Sequence, residues 1–206
     1  MKQRVRTKIC GLTRVEDAQA AIAAGADAVG LVFYPPSPRN LAPQPAAELV
    51  QQLAPFVTSV GLFVNPTVSW VEEVLKLVPL DLLQFHGDEP EDFCISFGRP
   101  YIKALRMHPE LNPDLAAAKW PQARGILLDA YQPGVPGGTG AVFDWQRFPT
   151  STSSNWILAG GLTPTNVAAA IQATRPYAVD VSGGVESCRG IKCPTKIQAF
   201  VQAVNN

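Results

Sequence analysis

The stretch that decides the fold is 156–184, "WILAGGLTPTNVAAAIQATRPYAVDVSGG". A short apolar run at 156–159 leads into a glycine pair, an alanine-rich run of helical length follows at 167–173, and a second apolar run follows at 178–181. This order predicts a strand, a crossover helix and a parallel neighbouring strand. Neither apolar run alternates cleanly with polar residues, which indicates a sheet covered on both faces.

Similar apolar runs recur along the whole chain. Eight strands are predicted, at 5–10, 28–33, 57–64, 80–85, 101–105, 125–128, 156–159 and 178–181. Eight strand–helix units in 206 residues favour an α/β fold with one domain, 1–206, shaped as a closed eight-stranded (β/α)8 barrel. An open, doubly wound sheet is the alternative fold.

Helices are predicted between most of these strands, at 15–24, 46–53, 68–77 and 167–173. Thr13 with Glu16 forms a capping-box pattern, and Asn65 and Thr163 each precede a proline that would open a helix. Gly25 is placed to end the first helix. The fifth helix, 112–119, is weakly marked. Because 143–154 has little helical period, the helix after strand six is predicted to be irregular or missing.

Composition and charge favour a small-molecule substrate over a polymer. Lys and Arg number 17, equal to Asp and Glu, and they form no basic stripe, so neither nucleic acid nor a membrane surface is an expected partner. Oligomerisation is left open. The N-terminal residues lead into no long apolar segment, and we expect a cytoplasmic protein. The four cysteines and two histidines share no ligand spacing, so no metal site is expected.

Polar residues mark the ends of the predicted strands. In a barrel, the loops at the C-terminal strand ends build the active site, so residues there are expected to converge on one mouth. These residues are Cys10, Arg39, Asn65, His86, Arg106 and Asp129.

Two glycine-rich turns follow strands seven and eight, Gly160-Gly161 and Ser182-Gly183-Gly184. Backbone N–H groups at such turns, close to helix N-termini, form a nest for a phosphate dianion. The alternative for either turn alone is a tight reversal without a ligand. The long glycine-rich connection at 130–143 suggests a lid or binding loop, and a disordered tip is its alternative.

A series of motifs carries a family resemblance. In chain order they are "KICGLT", "GLVFYPPSPRNL", "VGLFVN", "LQFHGDE", "LLDA" with "GGTGAVFDW", "LAGGLTPTNV" and "VDVSGGVE". The series resembles the phosphoribosylanthranilate isomerases of tryptophan synthesis over nearly the whole chain. Sister barrels that bind sugar phosphates share only the two glycine turns.

The resemblance implies an Amadori rearrangement without metal or organic cofactor. It assigns Cys10 as the general base and Asp129 as the general acid. Arg39 is placed to bind the anthranilate carboxylate, and Asp180 is expected to contact the substrate. His86 either forms a hydrogen bond with the substrate or packs the mouth of the barrel. The implied phosphate site consists of Gly160, Gly161, Ser182, Gly183 and Gly184.

A catalytic thiol needs help to ionise, since a free cysteine has a pKa of about 8.5 and is mostly protonated at neutral pH. Strand alternation points Lys8 the same way as Cys10, where its charge is expected to lower the pKa of the thiol. Asp180, on the neighbouring strand, is the expected partner of a buried lysine. Without the resemblance, the favoured interpretation of Cys10 is a small buried apolar residue.

The sequence departs from the family pattern at three positions. Gly183 stands where a serine is usual, and Arg189 and Cys193 stand where proline and aspartate are usual, which leaves the start of the last helix undecided. Two other functions stay open. One is a different sugar-phosphate isomerase or epimerase, including a bifunctional one that also serves histidine synthesis. The other is a phosphate-binding barrel without activity.

Overall fold

The chain folds into a closed barrel of eight parallel strands. The computed structural model describes residues 4–130, 144–151 and 154–206. The first strand pairs with both the second and the eighth, which closes the sheet and excludes the open alternative. The strands are β1 (Arg6–Cys10), β2 (Ala28–Val32), β3 (Thr58–Phe63), β4 (Leu82–Phe85), β5 (Tyr101–Met107), β6 (Gly125–Ala130), β7 (Trp156–Leu158) and β8 (Ala178–Val181).

Helices cross between most of these strands on the outside of the barrel. Between β6 and β7 the described residues carry only a 3-10 turn, Trp145–Arg147, which confirms the predicted irregularity there. The lid or binding loop predicted at 130–143 lies, from residue 131 on, outside the described residues. The helices are α1 (Val15–Ala24), α2 (Pro43–Gln51), α3 (Val68–Leu77), α4 (Glu91–Ile95), α5 (Pro113–Ala117), α6 (Val167–Thr174) and α7 (Pro194–Asn205).

A short excursion follows β8 that the sequence analysis did not predict. A 3-10 turn, Gly183–Val185, leads into an antiparallel hairpin of β9 (Glu186–Cys188) and β10 (Ile191–Lys192). The hairpin tip packs on the mouth of the barrel, because a Cβ on Gly190 would lie 3.0 Å from the carbonyl oxygen of Pro38. This hairpin delivers two charged side chains to the mouth.

The three predicted side-chain caps are wrong. Thr13 donates its hydroxyl to Gly190 O at 2.7 Å instead of capping α1. Asn65 lies in a left-handed turn with φ 45°, and Thr67 caps α3 by accepting from Trp70 N at 3.2 Å. Thr163 is followed by a turn, and α6 begins only at Val167. In each case the polar side chain, or the chain reversal around it, serves a contact between loops rather than a helix end.

The helix ends that depend on backbone geometry follow the sequence more closely. Gly25 ends α1 in the left-handed conformation at φ 92°, as predicted. Pro43 occupies the first turn of α2, and the helix therefore begins three residues before its predicted start. Cys193 caps α7 without a side-chain hydrogen bond, and Pro194 opens the helix, which decides how the last helix begins.

Alternation along the strands creates two apolar layers. Outward side chains such as Ile9, Leu31 and Phe63 pack under the helices. Inward side chains fill the barrel, with Ile102, Leu127 and Ile157 in one cluster. A second interior cluster contains Cys10, Val32 and Leu62. Polar inward side chains lie near the C-terminal ends of β1, β4, β6 and β8, and these positions form the candidate site.

Candidate active site

Lys8 and Asp180 meet inside the barrel, beside Cys10. Lys8 Nζ donates to Asp180 Oδ1 at 2.9 Å, and both side chains are less than one tenth exposed. The two residues are register partners on β1 and β8. A Cβ on Gly30 would lie 2.7 Å from Cys10 Sγ and 3.1 Å from Lys8 Nζ, so this glycine makes room for the thiol and the ammonium together. The predicted Lys8–Asp180 pair is confirmed.

The electrostatics of this cluster leave the thiol protonated at rest. Burial raises the pKa of Cys10 above its ordinary value, and the attraction of Lys8 only partly offsets that rise. Lys8 therefore acts on the thiol in the predicted direction, but burial, which was not predicted, outweighs it and the net pKa is raised. For Lys8, burial opposes the charged form, but Asp180 and Cys10 outweigh it and raise its pKa. Lys8 is thus the positive charge that faces the Cys10 thiol inside the barrel.

Asp129 and His86 lie side by side at the ends of β6 and β4. His86 Nε2 is 3.2 Å from Asp129 Oδ2, but the ring is not aligned for a hydrogen bond. Asp129 Oδ1 accepts from Ala130 N at 2.9 Å. Both residues are buried, at 7% and 6% exposure, so His86 Nε2 is a buried ring nitrogen with no hydrogen-bond partner among the described residues.

Gln84 sets the tautomer of His86, and sequence reasoning missed it. Its Nε2 lies 3.2 Å from His86 Nδ1, inside the barrel. With the amide donating, Nδ1 accepts and Nε2 carries the ring proton, which faces the space beside Asp129. The available signal was a glutamine in the middle of an apolar strand, where a polar side chain is buried only with a partner.

Arg39 lies at the mouth, with its guanidinium on a carboxylate of the protein itself. Its Nε and Nη2 donate to the two oxygens of Glu186, at 2.6 and 2.9 Å. Lys192 Nζ donates to the same carboxylate at 2.9 Å and to Ser182 Oγ at 3.3 Å. Sequence reasoning missed Glu186 and Lys192, because only the β9–β10 hairpin brings them to the mouth.

The two glycine turns pack against each other. A Cβ on Gly184 would lie 1.9 Å from Leu162 O, in the turn after β7. Gly161 adopts φ 60°, and its carbonyl oxygen accepts from Asn166 Nδ2 at 2.9 Å. No hydrogen bond between described residues uses the N–H of Gly161, Gly183 or Gly184. Such free backbone donors are what an anion nest requires.

Among the glycines of the predicted phosphate site, Gly160 is the one that packs against the end of β6. It adopts φ 83°, and a Cβ there would lie 2.5 Å from Ala130 N and 3.0 Å from Asp129 Oδ1. It therefore lets the β7 turn approach Asp129 closely.

Two of the strand-end residues serve the loops. Asn65 Oδ1 accepts from Asp88 N at 2.7 Å, which ties the β3 loop to the β4 loop. Arg106 donates through Nη2 to His86 O at 3.3 Å. Neither side chain contacts Cys10, Asp129 or the glycine turns in these hydrogen bonds, so the candidate site is narrower than the list of polar strand ends.

The described residues contain neither a metal-ligand cluster nor a membrane-spanning helix. In this part of the chain, no three His, Cys, Asp or Glu side chains are grouped to hold a metal ion. None of the described helices has the length and apolar character needed to cross a membrane.

A closed parallel barrel with a buried thiol, a buried carboxyl and paired glycine turns at one face has the architecture of a (β/α)8-barrel enzyme. The family model described as N-(5'-phosphoribosyl)anthranilate (PRA) isomerase matches residues 7–203. The chain belongs to this family, whose members are isomerases of tryptophan biosynthesis.

Individual relatives agree with the family match. A Pseudomonas fluorescens N-(5'-phosphoribosyl)anthranilate isomerase is 62% identical over 97% of this chain and 95% of its own. The crystal structure of a Thermus thermophilus phosphoribosyl anthranilate isomerase superposes with a TM-score of 0.87 at 35% identity, covering 97% and 98% of the two chains. Another solved member has a TM-score of 0.81 at 38% identity over the same shares, and is bound to reduced 1-(o-carboxyphenylamino)-1-deoxyribulose 5-phosphate.

Proposed function

We propose that the chain converts N-(5'-phosphoribosyl)anthranilate into 1-(2-carboxyphenylamino)-1-deoxyribulose 5-phosphate, with Cys10 as general base and Asp129 as general acid. The observation that carries this assignment is the placement of one buried thiol and one buried carboxyl at the same barrel face, on the non-adjacent strands β1 and β6. An aldose–ketose rearrangement needs an acid and a base on opposite sides of the sugar, and two non-adjacent strands supply such an arrangement.

Asp129 starts the reaction by protonating the furanose ring oxygen. The bond from that oxygen to C1' breaks, and the nitrogen lone pair forms a C1'–N double bond. The carboxyl then becomes a carboxylate beside His86 Nε2, 3.2 Å away. The dipole of the nearby ring N–H stabilises the new negative charge.

Cys10 completes the rearrangement by removing the proton from C2'. The electron pair of the C2'–H bond forms a C1'–C2' double bond, and the electrons of the C1'–N double bond return to the nitrogen. The resulting enolamine tautomerises to the ketose. Only the thiolate is a useful base, so the raised pKa of Cys10 makes Lys8 necessary. Lys8 stabilises the thiolate, and Asp180 keeps Lys8 in place through the 2.9 Å hydrogen bond. We also assign Asp180 a contact with the substrate.

The remaining predicted residues hold the two anionic ends of the substrate. Arg39 receives the anthranilate carboxylate on the guanidinium edge that Glu186 does not occupy. The turns with Gly160, Gly161, Ser182, Gly183 and Gly184 receive the phosphate, chiefly on free backbone N–H groups. His86 donates to the substrate from Nε2, which has no other partner among the described residues.

A fluorescence assay tests this function directly. Freshly made phosphoribosylanthranilate should lose its anthranilate-type fluorescence faster with the purified protein than by spontaneous hydrolysis. Decay at the spontaneous rate would remove the proposed function and leave the fold. A crystal grown in sulfate should show an anion between the two glycine turns, and an anion bound only elsewhere would contradict the phosphate assignment.

A further inference from the structure

Glu186 occupies an unusual electrostatic position at the mouth. Its carboxylate is 8% exposed and lies between two cations, with Oε1 accepting from Arg39 Nε at 2.6 Å and Lys192 Nζ at 2.9 Å. Its Oε2 accepts from Arg39 Nη2 at 2.9 Å. One carboxylate therefore holds two basic side chains that would otherwise repel each other.

Both cations held by Glu186 reach the glycine turn after β8. Lys192 Nζ donates to Ser182 O at 3.2 Å and to Ser182 Oγ at 3.3 Å. Arg39 Nη2 lies 3.3 Å from where a Cβ on Gly183 would stand, in the same turn. Because Arg39 is also the proposed partner of the substrate carboxylate, Glu186 touches both the group proposed for that carboxylate and the group under the phosphate turn.

The cluster keeps a net positive charge only while Lys192 is protonated. Burial lowers the pKa of Lys192, and Glu186 opposes that shift. For Glu186, burial also opposes ionisation, but hydrogen bonds from Arg39 and Lys192 outweigh it and lower its pKa. With two cations and one anion, the cluster supplies one net positive charge below a turn that contains no basic residue of its own.

We infer that Glu186 is a positioning residue that fixes Arg39 for the carboxylate end of the substrate and Lys192 under the phosphate turn. The inference rests on the proposed function for the identity of the two anionic ends. It extends that function because one carboxylate then sets the affinity for both ends at once, and so the preference for a substrate that is anionic at both.

The test compares Glu186→Gln with the wild type and with Asp81→Asn. Asp81 is the control for loss of a hydrogen-bonded carboxylate away from the mouth: it is exposed, and its Oδ2 accepts from Ser59 N at 2.8 Å and from Ser59 Oγ at 2.7 Å, just before β4 and so at the opposite face of the barrel. Inorganic phosphate and benzoate are the probes for the two ends, with binding measured by NMR titration and melting temperature measured alongside.

For Glu186→Gln, we expect KM to rise roughly ten- to a hundredfold, the range of one or more lost charge-assisted hydrogen bonds, with kcat within about threefold. Both probes should bind more weakly by similar factors. Asp81→Asn should lower the melting temperature without changing either probe. Unchanged probe binding in folded Glu186→Gln, or losses that merely follow melting temperature in both variants, would overturn the inference.

A pH series separates positioning from simple loss of structure. Without the Glu186 carboxylate, nothing equivalent opposes the lowering of the Lys192 pKa by burial, so phosphate binding in Glu186→Gln should weaken at lower pH than in the wild type. The other titratable or charged groups facing Lys192 are Arg39, Cys10 and Asp17, whose carboxylate accepts from Lys192 N at 3.1 Å. Parallel pH profiles in the two proteins would contradict the role given to Glu186.

A second variant covers the case in which Glu186→Gln does not fold. Lys192→Met leaves the Arg39–Glu186 pair intact, so phosphate should bind at least about tenfold more weakly while benzoate binding is kept. Equal loss of both probes, or loss of neither, would overturn the inference. The probes bind without turnover, so an inactive wild type would remove the proposed function while the binding comparison still decides the role of Glu186.

Discussion

Lys8 Nζ and Asp180 Oδ1 lie 2.9 Å apart where the first and last strands of the barrel meet. The pair is buried, and the ammonium also faces the Cys10 thiol. One ion pair therefore serves two purposes. It neutralises a lysine inside the barrel, and it places a fixed positive charge where the proposed base must become negative.

Lys8→Met is expected to cost about 3–5 kcal/mol of unfolding free energy, because it leaves Asp180 buried without its counter-charge. Urea unfolding followed by circular dichroism measures this. The double variant Lys8→Met/Asp180→Asn removes both charges and should recover part of the loss. A single variant as stable as the wild type would show that the pair contributes nothing to the fold.

The pH dependence of kcat/KM should report the Cys10 thiol. Since burial raises its pKa above the ordinary value of 9.0, kcat/KM should rise with pH through neutrality and into the alkaline range. Lys8 favours the thiolate, so Lys8→Met should move this rise to still higher pH. A limb that levels off below the ordinary cysteine pKa, or one that Lys8→Met leaves in place, would contradict this assignment.

Cys10→Ala should lower kcat by roughly 10²–10⁴-fold, the usual contribution of a general base, with little change in melting temperature. Cys10→Ser should also be poor, because a hydroxyl is a much weaker acid than a thiol. Cys94→Ala is the matched control, since Cys94 is equally buried but lies in α4, outside the barrel. Near-normal turnover of Cys10→Ala would return Cys10 to a packing role.

Asp129→Asn should lower kcat by a similar factor of roughly 10²–10⁴ and leave KM within a few fold, because an amide cannot supply the proton. Steady-state kinetics at saturating substrate measure this. Asp88→Asn changes an exposed carboxylate in the β4 loop at the same barrel face and should behave as the wild type. Equal activity of the Asp129 and Asp88 variants would leave the acid unassigned.

Gly184 and Gly183 should respond oppositely to a side chain. A Cβ on Gly184 would meet Leu162 O at 1.9 Å, so Gly184→Ala should raise KM by roughly tenfold or more, and Gly184→Val further, as the turns separate. Gly183 meets only Arg39 Nη2, at 3.3 Å, so Gly183→Ser should fold normally and bind phosphate at least as well. A normal KM in folded Gly184→Val would mean that phosphate binds elsewhere.

The features that were predictable from the sequence are local or depend on strand period. Apolar runs located the strands, although β5 and β6 each extend two residues beyond prediction because Arg106 and Asp129 pair with each other in the sheet. Alternation on β1 and β8 was enough to pair Lys8 with Asp180, since register in a closed barrel fixes which inward residues meet.

The features that were missed depend on contacts between distant loops. Thr13 carries a good capping pattern, but its hydroxyl finds Gly190 O, 177 positions along the chain. Glu186 and Lys192 meet Arg39 only because the β9–β10 hairpin folds back over the mouth. The net pKa of Cys10 could not be derived from strand alternation either, because alternation gives the neighbouring charge but not the depth of burial.

The closure of β1 on β8 also orders events during synthesis. Cys10 and Lys8 leave the ribosome first, whereas Asp180, Ser182, Glu186 and Lys192 follow more than 160 positions later. A nascent or truncated chain that lacks β8 therefore contains the Cys10 thiol and Lys8 without the carboxylate that holds the ammonium in place. The complete electrostatic setting of Cys10 requires that β8 pair with β1, so the proposed chemistry depends on closure of the barrel.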